Sequence, residues 1–206
     1  MTRIIAIVAA VFVAALIGGT WWVTRPQEDA FASCSDSVIG GGTSAIGGPF
    51  ELVDENGVTV TDQDVFTEPT LLYFGYTFCP DVCPLDNARN AEALDLIQER
   101  GYDAQMAMIS IDPERDTPEQ MKDFTSYLHD DFLGLTGSPE QVKAASQAYK
   151  TYYKKQGEGD DEYYLVDHST FTYLVLPEIG FVEFFKRDDT PEQIAETTSC
   201  FIDAAS

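Results

Sequence analysis

The chain has 206 residues, 44% hydrophobic and 12% aromatic, which suits one ordinary domain with accessory segments and excludes disorder as a description of the whole. Twelve Lys and Arg against 35 Asp and Glu leave a formal net charge of −23, a surface that repels phosphate backbones and excludes nucleic acid as an expected partner. Two histidines and four cysteines leave few ways to build a metal or redox site.

Residues 4–23 carry no charged side chain and close on the Trp21-Trp22 pair. About 20 apolar residues in a helix cross a hydrocarbon core of about 30 Å, and tryptophan favours its interface. Three readings compete: an uncleaved anchor, a cleavable signal and a lipoprotein signal. Ala30-Phe31-Ala32 has the small-x-small form of a cleavage site, and Phe31-Ala32-Ser33-Cys34 loosely has that of a lipoprotein box. Both lie beyond Arg25, Glu28 and Asp29, so length and flanks favour the anchor. With no Arg- and Ser-rich leader before the apolar run, the expectation is a single pass through a bacterial inner membrane, with the functional domain in the periplasm. The expected layout is a membrane anchor over 1–25, a Gly- and Ser-containing tether over 26–46 and a folded domain over 47–206. Residues 26–206 hold all 35 acids and ten of the twelve basic residues, a net charge of −25.

The folded part alternates strand and helix signals. Thr70-Leu71-Leu72-Tyr73-Phe74-Gly75 is a continuous apolar run ending in Gly, the signature of a buried central strand, and residues 106–111 form a second one. Between them Ala88, Ala91, Leu94 and Ile97 fall near helical spacing over 85–100, with Gly101 as a stop. Thr117-Pro118-Glu119-Gln120, Ser138-Pro139-Glu140-Gln141 and Thr190-Pro191-Glu192-Gln193 each predict a helix start: a capping hydroxyl, Pro in the first turn and a Gln that closes a capping box. Residues 163–166, 172–176 and 181–185 read as strands, the last two forming a hairpin broken at Pro177 and Gly180. The expected fold class is α/β: a central mixed sheet flanked by helices, in the order of a thioredoxin-like domain, preceded by one transmembrane helix.

The chemistry lies where the first buried strand ends, in Cys79-Pro80-Asp81-Val82-Cys83-Pro84. A spacing of four places both sulfurs on one side of a helical turn, at the strand end where open α/β sheets present their sites. Amides at a helix N-terminus favour the thiolate, which is both ligand and nucleophile. A buried structural cysteine pair is the alternative, but prolines on each side suit an exposed loop better. His168 breaks the pattern between two strands and belongs at a sheet edge or loop end; spacing alone does not bring it to the cysteines. His129, among acids at the end of an amphipathic helix, reads as solvated surface.

Taken with Ile109-Ser110-Ile111-Asp112-Pro113-Glu114-Arg115-Asp116-Thr117, Leu133-Gly134-Leu135-Thr136-Gly137 and Tyr164-Leu165-Val166-Asp167-His168-Ser169, the cysteine segment resembles the Sco/SenC family of membrane-tethered copper chaperones with a thioredoxin-like domain. The specific signature is the double-Pro cysteine loop with a histidine 85 positions after Cys83. The resemblance implies that Cys79, Cys83 and His168 are copper ligands, and that the protein loads the CuA centre of cytochrome c oxidase subunit II. A periplasmic copper donor and a thiol reductant are further implied partners.

Two thiolates and one imidazole form a soft site that suits Cu(I) and holds Cu(II) given added ligands. A structural zinc site would want a fourth protein ligand, and none is evident. Asp112 and Asp116 fall at the end of the second buried strand, beside the cysteine loop in such a fold. Asp112 either orients the site or caps a helix start. Cys34 and Cys200 remain, and in an oxidising compartment they pair most economically with each other, two independent thiols being the alternative. The competing function is a thiol–disulfide oxidoreductase acting on the partner's cysteines or sensing redox state. Against it stands C-x₃-C where thioredoxin motifs have C-x-x-C. A peroxidase is weaker still, with Arg115 the nearest candidate for a peroxide-activating arginine.

Overall fold

The computed structural model describes residues 31–34, 45–157 and 163–206. In chain order the elements are β1 (Glu51–Asp54), β2 (Thr59–Thr61), α1 (Asp62–Val65), β3 (Thr70–Gly75), α2 (Val82–Glu99), β4 (Gln105–Ser110), α3 (Pro118–Leu128), β5 (Phe132–Thr136), α4 (Pro139–Ala148), β6 (Tyr153–Lys155), β7 (Val166–His168), β8 (Thr172–Leu176), β9 (Gly180–Phe185) and α5 (Pro191–Ala205). The apolar run 4–23 lies outside the described residues. Among the described residues no helix is long and apolar enough to cross a membrane.

Every residue of β3 is buried, and so is every residue of its neighbour β8. Strands covered on both faces read as continuous apolar runs, which is why β3 is visible in the sequence with its true bounds. β3 runs parallel to β4, from Thr70↔Gln105 to Gly75↔Ser110, and antiparallel to β8. The full sheet is mixed, seven strands in the order β2-β1-β5-β4-β3-β8-β9. α2 packs against α5 and against β3 and β4, while α3 lies over β5. Leu71, Leu72, Leu94, Ile97, Met106 and Met108 are at most 1% exposed. Each large apolar side chain withdrawn from water contributes about 1.5–3 kcal/mol, so the end of β3 is firmly held.

The three Ser/Thr-Pro-Glu-Gln segments start α3, α4 and α5. In each the cap hydroxyl accepts the Gln amide three residues on, and the Gln side chain returns to the cap amide. α2 stops at Gly101, whose φ of +90° lets the Gly101 amide reach Gln98 O and the Tyr102 amide reach Ile97 O. α2 begins at Val82, earlier than the expected 85. Pro84 is tolerated there because first-turn amides have no intrahelical partner.

The strand expected over 163–166 does not form. Tyr163 and Leu165 are exposed and Tyr164 is buried, so their alternation marks an irregular segment lying on the surface. The strand begins at Val166 and pairs antiparallel with β6 in a separate two-stranded ribbon, Tyr153 facing His168. Cys34 is disulfide-bonded to Cys200 of α5, with a Cα–Cα distance of 5.6 Å across 166 residues of sequence. Residues 34–206 cluster as one compact unit.

Candidate metal centre

β3 delivers the chain to a short turn, 76–81, which feeds directly into α2. Cys83 lies in the first helical turn and is fully buried, whereas Cys79 in the turn before it is 9% exposed. The Cys83 amide, one of those a helix cannot satisfy internally, donates to Cys79 Sγ at 3.4 Å. Helix and sulfur are thus arranged to stabilise negative charge on Cys79, although only Cys83 is helical.

The two thiols divide their protons unequally. Cys79 is pushed below the ordinary thiol range, first by the hydrogen bond from the Cys83 thiol, then by His168 and by the Cys83 and Asp81 amides, with burial opposing. Cys83 is pushed upward, first by that same hydrogen bond to Cys79 and then by burial. The pair therefore loses one proton easily and retains the second.

His168 ends β7. Its Nδ1 lies 2.7 Å from the Ser169 carbonyl oxygen, which can only accept, so Nδ1 carries a proton and Nε2 is the nitrogen turned towards the sulfurs. Nε2 is 3.4 Å from Cys83 Sγ. The Tyr73 and Tyr76 rings stand edge-on to the imidazole, with centroids 6.1 and 5.9 Å away. The candidate ligand atoms of Cys79, Cys83 and His168 all lie within 4.8 Å of one another. Two buried sulfurs and one free imidazole nitrogen are a soft donor set, fitted to Cu(I) and without a fourth ligand for structural zinc among the described residues.

The other sequence candidates lie apart from this trio. Asp112 is buried and does not cap α3: its carboxylate accepts the Tyr164 hydroxyl and the Arg115 Nε–H. The N-cap of α3 is Thr117. Asp116 accepts the Thr77 amide at 3.1 Å, the Thr77 hydroxyl and the Ser110 hydroxyl, tying the cysteine turn to the end of β4. His129 is not solvated surface; its side chain is 13% exposed, its Nδ1 accepts the Asp131 amide and its Nε2 lies 3.3 Å from Asp95. Cys34 and Cys200 form the disulfide already described.

Several contributors escaped the sequence reading. An added Cβ on Gly75 would lie 2.8 Å from the Tyr73 ring and 3.1 Å from Cys83 Sγ, so the close approach of strand and sulfur needs glycine. The Tyr73 hydroxyl donates to buried Asp86, which also accepts from Arg187 Nε. The Asn87 amide group donates to the Cys83 carbonyl at 2.9 Å. Only Gly75, closing an apolar strand just before the cysteine turn, carried a signal that could have been read.

A mixed sheet flanked by helices, with two thiols and an imidazole gathered beyond the end of a central strand, defines a thioredoxin-like domain adapted to hold a soft metal ion. The SCO1/SenC family model matches residues 40–203. Protein SenC of Rhodobacter capsulatus is 48% identical over 203 residues, 98% of this chain and 91% of that one. Among solved structures, Arabidopsis thaliana ScoI with copper bound is similar with a TM-score of 0.73 and 40% identity, covering 77% of this chain and 99% of that one. Bradyrhizobium japonicum ScoI with copper bound gives a TM-score of 0.68 and 39% identity, covering 75% and 98%. The chain belongs to the SCO1/SenC family.

Proposed function

We propose that this protein is a copper-delivery protein that takes one copper on Cys79, Cys83 and His168 and passes it to the CuA centre of cytochrome c oxidase subunit II. In this reading residues 4–23 anchor it in a bacterial inner membrane and the folded domain works in the periplasm. The observation that carries the proposal is the convergence of two sulfurs and an imidazole nitrogen within 4.8 Å, from segments 85 residues apart. The solved relatives described as having copper bound support the choice of metal. Copper is cargo here, and three protein ligands leave room for a ligand of the receiving protein to enter before these leave.

A second reading, a thiol–disulfide oxidoreductase, is favoured by the lowered pKa of Cys79. Its thiolate would attack a partner disulfide and expel one partner thiolate. Cys83, giving up its proton, would then attack Cys79 in the mixed disulfide and expel the other, leaving this chain oxidised and the partner reduced by two electrons. The imidazole has no part in that exchange. Anaerobic titration of the reduced domain with Cu(I) therefore separates the two readings. The parent should bind one equivalent, and His168→Ala should lose copper while retaining most of its dithiol reactivity. Loss of copper by His168→Ala with oxidase assembly intact, while Cys79→Ser and Cys83→Ser both fail, would replace delivery by reduction.

A further inference from the structure

The segment between β4 and α3 supplies no ligand, yet it touches both parts of the chain that do. Arg115 is its centre. The guanidinium carbon lies 3.6 Å from the centroid of the Tyr164 ring, 4.6 Å from that of Phe78 and 5.8 Å from that of Tyr76. Phe78 adjoins Cys79, and Tyr164 lies on the arm that leads through Val166 to His168. Asp112 fixes the arrangement by accepting from Arg115 Nε and from the Tyr164 hydroxyl at once. The ion pair is shielded, its side chains being 18% and 5% exposed, so it is screened less than a pair on the open surface.

The histidine arm needs such a fastening. His168 sits on a ribbon of two three-residue strands that is separate from the main sheet, and two-stranded ribbons alone are marginal in water. Its ladder of three residue pairs is by itself a weak hold on the imidazole. A planar guanidinium stacks on aromatic faces while its edge bonds a carboxylate; an ammonium does not combine the two. Beside it, the Val166 amide donates to the Tyr76 hydroxyl at 3.3 Å, a second stitch between the same two segments.

We infer that Arg115 is a positioning residue which clamps the cysteine turn to the histidine arm and so sets the reach of His168 Nε2 to the two sulfurs. The inference rests on the copper reading for its metal measurement and on geometry alone for its structural one. Both are made on Arg115→Ala, Arg115→Lys and the parent, as reduced protein. Amide hydrogen exchange without metal should speed up about tenfold or more in 76–79 and in 164–168 together, with the β8–β9 hairpin unchanged. Cu(I) affinity, from competition with a chelator of known strength, should fall about 10- to 100-fold, the range for groups that orient metal ligands. Arg115→Lys should fall as far, because charge without a stacking plane is not enough. Should Arg115→Ala fail to fold, Phe78→Leu and Tyr164→Leu each remove one side of the stack and should each loosen both segments. Exchange at the parent rate in either segment, or full recovery with Lys, overturns the clamp. A parent that binds no copper overturns the delivery reading instead, and the exchange rates then decide on the clamp.

Discussion

Cys79 and Cys83 stand where a fully buried strand of the main sheet meets an 18-residue helix, whereas His168 ends a three-residue strand laddered to another three-residue strand. The sulfur half of the centre inherits its geometry from the domain core. The imidazole half depends on a few side-chain contacts, among them the Ser169 carbonyl, the Tyr73 and Tyr76 ring edges and the stack on Arg115. Ligands with unequal supports give a centre with a rigid base and one ligand that can move at modest cost, which suits the copper release we propose.

The largest effect should come from breaking the rigid half. Cys79→Ala or Cys83→Ala should lower Cu(I) affinity by more than about 100-fold, beyond the span typical of residues that only orient ligands. Competition with a chelator measures it. The other cysteine pair should act on stability instead. Cys34→Ser or Cys200→Ser should lower the free energy of unfolding by about 2–4 kcal/mol in denaturant titration while copper affinity stays at the parent value.

Gly75→Ala probes the joint between strand and sulfur. Crowding against Tyr73 and Cys83 should cost about 1–3 kcal/mol of stability and also weaken copper binding, a combination that neither outer cysteine should produce. Thiol alkylation gives a finer comparison. Because Cys79 is shifted down, its thiolate persists as pH falls from about 8.5 towards 6, and its alkylation rate should change little over that window, whereas thiols in the unfolded chain slow about tenfold per pH unit. Cys83, shifted up, should stay unmodified over the same window. The smallest effect on the centre belongs to His129→Ala, expected to cost about 1 kcal/mol of stability for its lost hydrogen bonds and to leave copper binding unchanged, since its partners are Asp95 and Asp131.

The same unevenness governs what could be read from the sequence. β3 was legible with its true bounds because burial on both faces removes polar positions, and the helix starts of α3, α4 and α5 were legible because capping boxes are local. The C-x₃-C turn was legible as chemistry. β1, β2 and β6 were not, since strands of three or four residues in which Leu52 is the single buried side chain leave almost no periodic signal. The approach of His168 to the sulfurs came only from family resemblance, because a ribbon outside the main sheet has no register that pattern could predict. The sequence offers Arg115 only as the nearest candidate for a peroxide-activating arginine, and its stack on rings from two distant segments has no linear trace at all.

The disulfide between Cys34 and Cys200 coexists in one chain with Cys79 and Cys83, which are free. Thiols must be uncombined before they can take a metal ion, while the outer bond must stay closed to brace α5. Any reductant that maintains the inner pair also meets the outer one, whose cysteines are half-exposed, so steric seclusion cannot be the only safeguard. The safeguard is thermodynamic: the fold holds Cys34 and Cys200 together across 166 residues of sequence, which favours re-formation of their bond by exchange with an oxidised thiol of the surroundings, whereas an inner bond would close only a short loop. The protein therefore has an operating window of ambient potential. The window is bounded above by oxidation of the inner pair, which would shut the metal out, and below by reduction of the brace.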